Sequence, residues 1–401
     1  MTLDLTRIAQ GIAAKEHRSM TQSKHGWQQH VLSSTERPPA LDFDGYRNRP
    51  PAQRAKYDTA RGRFHQGLDQ IETDQMLSAF GTMDRHLAAL LADSSVARPG
   101  VILSGEANAG KSTILTGWGR KTEVALRDAV GMPLTLDQEG APRLDNNAEY
   151  LPICYFNLAD SVGASLRNAL RFYNPRNPVT GRITIDSLIH QLATFVEHCR
   201  TSVILMDQVH QIRQANRGPG EVSEAIKQIM DTCTSTVLIG AGIGVEHLRI
   251  FSDGNSVGEA RLGQTGGRFS MHPVVAYDRY DPASKAAWER LLRTMEQELI
   301  LLKGQPGDLL GLSEYILDRT EGLTGAVMKL LRSGANEAIA NGDERITRQV
   351  LRRIEVSAFA DIASGHITAT QHRGPKQPVA KTIVGKRGPS SHIRSGPSVV
   401  P

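Results

Sequence analysis

At 401 residues, with 39% hydrophobic and 22% charged residues, the chain is long enough for more than one packed unit and too apolar to be disordered throughout. The formal charge of +5 is set by one end: residues 364–401 hold six Lys or Arg and no Asp or Glu, which leaves the remainder near neutrality. No apolar run approaches the roughly eighteen residues of a membrane span, no leader-like stretch follows Met1, and Cys154, Cys199 and Cys233 are too far apart for a disulfide framework or a close zinc pair, so a cytoplasmic protein with no membrane partner is expected.

Residues 1–51 are polar, lack a sustained period and are punctuated by Pro38, Pro39, Pro50 and Pro51, and read as an arm or linker. Over 52–96, Phe64, Leu68, Ile71, Met76, Phe80, Met83, Leu87 and Leu91 recur at helical spacings, which predicts two or three helices. Over 97–280 short apolar runs (100–103, 151–156, 202–206 and 236–239) alternate with helical stretches beginning at Lys111, Ser161 and Glu221. That order predicts an α/β fold with a parallel sheet flanked by helices, and runs that are continuously apolar suit strands buried on both faces.

Over 281–362 the pattern turns wholly helical. Trp288, Leu292, Met295, Leu299 and Leu302 form one stripe, a second helix is predicted over 323–340, and a third follows Thr347, giving a small helical domain. Residues 363–401, rich in Gly and Pro, are predicted to be a basic disordered tail able to attract polyanions.

The chemistry is concentrated at Gly105-Glu106-Ala107-Asn108-Ala109-Gly110-Lys111-Ser112, followed by Thr113. This is a P-loop pattern, and both required contexts are present: an apolar strand before it and a helical stretch after it. The glycines let backbone N–H groups turn toward phosphates, Lys111 reaches the β and γ phosphates, and Ser112 can ligate Mg²⁺. A second acidic group is needed to hold the metal shell. Asp207, which ends the run Val203-Ile204-Leu205-Met206, is the candidate. Its neighbour is Gln208, and an amide can align water but cannot take its proton; His210 lies close by as an alternative base or a merely structural histidine.

The succession of the P-loop, Asp207-Gln208-Val209-His210, Thr236-Val237-Leu238-Ile239-Gly240-Ala241-Gly242, Gly267-Arg268-Phe269 and Gly322-Leu323-Thr324-Gly325 resembles the TniB/TnsC family of AAA+ transposition regulators. The resemblance spans roughly 57–362, and family members usually carry Asp-Glu-Ile-His where this chain has Asp-Gln-Val-His. It implies an AAA+ ATPase using ATP and Mg²⁺, with a C-terminal helical lid, that forms a homo-oligomeric ring or filament on double-stranded DNA. Its implied partners are a DDE transposase and, in some members, a targeting adaptor. It also implies that Arg268 is an arginine finger acting in trans and that Lys329, beside Met328, stands near the position of a sensor arginine. The strand ending at Gly242 has no polar sensor residue in its last positions. A signalling or defence P-loop switch that binds proteins and never needs DNA stays open as the other reading, whereas a small-molecule kinase lacks any acceptor-binding signature.

Overall fold

The computed structural model describes residues 22–33, 36–68, 71–91, 100–135, 150–175, 179, 181–214, 219–248 and 268–356. The predicted tail over 363–401, the end of the predicted helical domain at 362 and Gly267 of the family motif lie outside them.

Five strands form one parallel sheet: β1 (Gly100–Gly105), β2 (Ile153–Asn157), β3 (Val203–Asp207), β4 (Val237–Ile243) and β5 (Phe269–Val274). Their order across the sheet is β2-β3-β4-β1-β5. The first residues of β1 and all of β3 are buried, which is why these segments are continuously apolar rather than alternating. Register places Gly105 beside Ile243 of β4 and Val274 of β5, and Asn157 beside Asp207. All strands therefore deliver their carboxyl ends to one edge of the sheet, where ligands bind in open parallel sheets.

Helices supply the crossovers. After β1 comes α5 (Lys111–Ala129), and between β2 and β3 lie α6 (Val162–Tyr173) and α7 (Ile185–His198), where the sequence pattern indicates one helix. Between β3 and β4 lies α8 (Pro219–Thr232). The starts of α6 and α7 are fixed by side-chain caps, Ser161 accepting from the Ala164 amide and Thr184 from the Ser187 amide, each satisfying an N–H that the helix itself cannot. The fifth strand is not among the runs read from sequence. It is a sheet edge, contains Pro273 and exposes Ser270, Met271 and Pro273 between buried Phe269 and Val274, so it lacks the unbroken apolar signal and shows the composition of an edge.

Among the described residues the helices that precede the sheet are α1 (Lys24–Leu32), α2 (Phe43–Arg47), α3 (Pro51–Gln66) and α4 (Asp74–Ala88). Helix α1 lies in the stretch that reads from sequence as an arm or linker, and its Trp27 is wholly buried against α5 and the sheet. Helix α4 packs on β1, β5 and α5.

After β5 the chain is helical: α9 (Pro282–Glu298), α10 (Ser313–Thr320), α11 (Thr324–Ala340) and α12 (Arg348–Arg352). The predicted stripe ends earlier than its spacing suggests, since α9 stops at Glu298 and Leu302 lies beyond it. Helix α3 packs against α11. Arg61, fully buried on α3, donates to both carboxylate oxygens of Glu344 at 2.7 and 2.8 Å and to Asp58 at 2.7 Å, so the N-terminal helices are bolted to the C-terminal ones. Among the described residues no helix is long and apolar enough to cross a membrane, and the three cysteines are buried and form no disulfide.

Candidate nucleotide site

The P-loop leaves β1 at Gly105, where a Cβ would lie 2.1 Å from the Val274 carbonyl oxygen of β5, so no larger residue fits. Asn108 and Gly110 take positive φ values of 63° and 96°, the second a conformation that glycine adopts without strain. Helix α5 then starts at Lys111 with Gly110 as its cap residue and no side chain capping it. Its first N–H groups are thus left to an external acceptor, as in phosphate-binding helix starts.

Lys111 is buried, and its amine donates to the carbonyls of Gly105 at 3.0 Å and Glu106 at 2.5 Å. Burial lowers its pKa, opposed by the charges of Asp207, Glu106 and Glu246. Ser112 is exposed in the first turn and Thr113 half-buried beside it. Glu106, Ala107 and Asn108 are exposed, while Ala109 is buried, so the loop presents mainly backbone to a ligand.

Asp207 ends β3 and is buried. One carboxylate oxygen accepts the Gln208 amide at 2.7 Å and the other accepts the Tyr155 hydroxyl at 3.2 Å. Burial and the Asp207 charge push the Tyr155 hydroxyl pKa up, so it stays a donor. Strand β4 separates β3 from β1, which at two interstrand spacings leaves about 10 Å between the strands that carry Asp207 and the P-loop. That interval has room for a terminal phosphate and its metal shell. Gln208 itself is half-buried with φ 59°, an uncommon conformation for a residue with a side chain. His210 Nδ1 accepts the Ile243 amide at 3.3 Å, tying the turn after β3 to the end of β4.

Two groups that spacing did not mark join the site. Glu246 follows β4, accepts a hydrogen bond from the Ser104 hydroxyl of β1, and contributes negative charge at Lys111. Arg332 of α11 lines a slot of about 90 Å³ together with Ile71, Met76, Gly110, Thr113 and Met328. It stands one turn beyond Met328, on the same helix face, which is the one signal that could have found it. A larger cavity of about 550 Å³, lined by Arg293, Glu296, Leu299, Asp308, Leu309 and Ile346, includes none of the P-loop residues.

The motif Gly322-Leu323-Thr324-Gly325 joins the C-terminal helices to this site. A Cβ at Gly322 would meet the Tyr277 carbonyl oxygen at 2.4 Å, and one at Gly325 the Asn108 carbonyl oxygen at 2.6 Å.

Two sequence candidates are not brought to the site. Lys329 instead donates to the Val356 carbonyl. Arg268 sits at the amino end of β5, where its carbonyl accepts the Gly100 amide at 2.7 Å and its guanidinium pairs with Asp231 at 2.8 Å. The P-loop leaves the other end of β1, about 17 Å away at ~3.3 Å per residue. Within one chain Arg268 therefore serves a partly exposed ion pair, and only a second copy could carry it to a phosphate.

No family model matches the chain, and no curated protein matches it. Solved structures that it resembles include Cdc6p from Pyrobaculum aerophilum, with TM-score 0.47 and 15% identity over 71% of this chain and 67% of that one. The Walker-type ATPase of Pyrococcus abyssi gives TM-score 0.41 and 14% identity over 68% of this chain and 69% of that one. C. elegans PCH-2 gives TM-score 0.38 and 10% identity over 74% and 69%. These similarities are distant, and neither substrate nor partner follows from them.

Among the described residues no group of three or more His, Cys, Asp or Glu could by itself hold a metal ion. Mg²⁺ needs no such cage, being bound by one or two protein oxygens together with phosphates and water. Three observations fit a Mg²⁺-nucleotide: a buried lysine amine held by backbone carbonyls, a helix start without a side-chain cap, and the Asn157 Oδ1, buried beside Asp207 with no hydrogen-bond partner.

Proposed function

We propose that this chain is an ATP- and Mg²⁺-dependent switch of the AAA+ kind, and within that class a regulator of DNA transposition resembling TniB/TnsC. The observation that carries the nucleotide reading is the buried Lys111 amine at the head of α5, facing a sheet edge on which Asp207 is held by two donors. In this reading Lys111 neutralises the β and γ phosphates, the P-loop amides cradle them, and Ser112 and Asp207 hold the metal shell. Bound Mg²⁺ withdraws charge from the terminal phosphate. Gln208 orients water without accepting its proton, so turnover is slow and the ATP state long-lived. The C-terminal helices act as a lid, with Arg332 reaching the nucleotide from α11.

The transposition reading is supported by the order of motifs from the P-loop to Gly325 and by the six cations of residues 364–401. In this account a homo-oligomer assembles on duplex DNA in the ATP state, Arg268 of each copy leaves Asp231 for the neighbouring site, and the assembly presents its target to a DDE transposase, directly or through an adaptor. A cytoplasmic location accords with the three reduced cysteines. Electron microscopy of the full chain with duplex DNA, with and without a non-hydrolysable ATP analogue, tests it. Rings or filaments on DNA that depend on the analogue support the reading. Tight nucleotide binding with no assembly on DNA would discard transposition in favour of a protein-binding signalling or defence switch.

A further inference from the structure

Helix α1 is short and polar, yet it is docked with more care than a tether needs. Trp27 enters a socket made by Gly119 of α5, where a Cβ would lie 2.9 Å from the indole ring. Its indole N–H donates to the buried Glu123 carboxylate at 3.4 Å, itself fixed by Arg127 at 2.5 Å. Arg120 of α5 holds the other end of α1 through the carbonyls of Val31 at 3.0 Å and Ser33 at 2.5 Å. The Trp27 ring also stacks on Tyr155 of β2, with centroids 5.5 Å apart and planes 18° from parallel. The Tyr155 hydroxyl in turn donates to Asp207.

We infer that Tyr155 is a positioning residue for the metal-binding carboxylate of Asp207, locked in place by Trp27, so that docking of α1 controls the nucleotide site. The inference rests on the reading of Asp207 as the Mg²⁺ carboxylate. A carboxylate whose oxygens already accept from fixed donors has one orientation to offer a metal, and removal of such supporting bonds commonly costs about 10- to 100-fold in metal affinity or activity. With α1 undocked, Tyr155 loses the ring that covers one face and its hydroxyl is free to swing. Coupling of this kind is reciprocal, so Mg²⁺-nucleotide binding tightens α1 by the factor with which α1 tightens metal binding.

The test uses the full chain, a fluorescent ATP analogue, and the variants Tyr155→Phe, Trp27→Ala and Trp27→Phe. Analogue affinity is measured in EDTA and across a Mg²⁺ titration, with melting temperature recorded beside it. Tyr155→Phe keeps the stacked ring, so it should leave the melting temperature and the metal-free affinity in place while raising the Mg²⁺ half-saturation about tenfold or more. Trp27→Ala should follow it, and Trp27→Phe, which restores an aromatic face, should recover part of the loss. If Trp27→Ala does not fold, the two phenylalanine variants decide the matter. A Mg²⁺ titration of Tyr155→Phe that overlays the parent's overturns the relay and leaves the nucleotide reading standing; a parent that binds no nucleotide overturns both.

Discussion

The backbone N–H of Gly325 donates to the carbonyl of Asn108 at 2.8 Å, so the helix that closes the C-terminal layer begins on the P-loop itself. Any movement of the loop would therefore reach α11 directly, and through Arg61 and Glu344 the N-terminal helices that pack against it.

Gly325→Ala should break this coupling. The added Cβ would lie 2.6 Å from the Asn108 carbonyl oxygen, a backbone atom that cannot step aside without moving the loop. Forced crowding of this kind costs about 1–3 kcal/mol. A lowered melting temperature together with weaker ATP affinity is expected; a variant as stable and as tight as the parent would show that the contact is incidental.

The buried Arg61–Glu344 pair should behave unlike the surface pairs. Both side chains are almost fully buried, and Glu344→Ala leaves the buried Arg61 charge with only the partly exposed Asp58 as a carboxylate partner, so it should destabilise by about 3 kcal/mol, the lower end for breaking a buried pair. Arg290→Ala, which removes a pair exposed on both sides, should leave chemical denaturation unchanged. Equal effects in the two variants would contradict the argument.

Stability should fall on mild acidification. His65 is buried, its Nε2 accepts the Ile300 amide at 2.9 Å and its Nδ1 lies 3.2 Å from Asn336 Oδ1. Burial, with the charges of Arg61 and Arg37, lowers its pKa to about 4 against the bond to Asn336. The folded pKa is depressed, so the unfolded chain takes the proton first. The contribution is whole above pH ~6.5 and is lost between ~6.5 and ~4, up to roughly 3 kcal/mol in total. Urea denaturation across this range should show the slope, and His65→Gln should flatten it.

Much of the site was legible because its chemistry is local. Gly105, Gly110 and Lys111 must sit at fixed spacing to make a turn and a helix start, and Asp207 announces itself as the acid that ends an apolar strand. Tyr155, Glu246 and Arg332 were not legible because each reaches the site through pairing or packing with a segment distant in sequence, and no spacing rule records that Ser104 faces Glu246. Lys329 misled for the same reason: adjacent to Met328 in sequence, it lies off the helix face that Met328 and Arg332 share. In the fold, β5 hid behind Pro273 and its exposed positions, and α1 behind a polar composition in which the buried anchors are few and Trp27 the largest.

Gln208→Glu should raise turnover, because it restores a proton acceptor next to Asp207. General-base assistance is worth about 10²- to 10⁴-fold in rate. Phosphate release should accelerate and ATP-state assemblies should shorten in lifetime. Arg268→Ala should leave nucleotide affinity of the dilute protein untouched and reduce turnover only at concentrations where copies meet. A parent that already hydrolyses ATP briskly, with no change in Gln208→Glu, would assign the base to another group.

Calorimetric titration of Mg²⁺-ATP into the parent and into Lys111→Ala tests whether Lys111 holds the terminal phosphates of a nucleotide. The lysine places a positive charge at the head of α5, and its removal takes away charge-assisted bonds while leaving the β1–α5 scaffold in place. Saturable binding by the parent and a large loss of affinity in Lys111→Ala, at unchanged melting temperature, are expected. Equal affinity in the two proteins, or no binding by either, would contradict that role for Lys111.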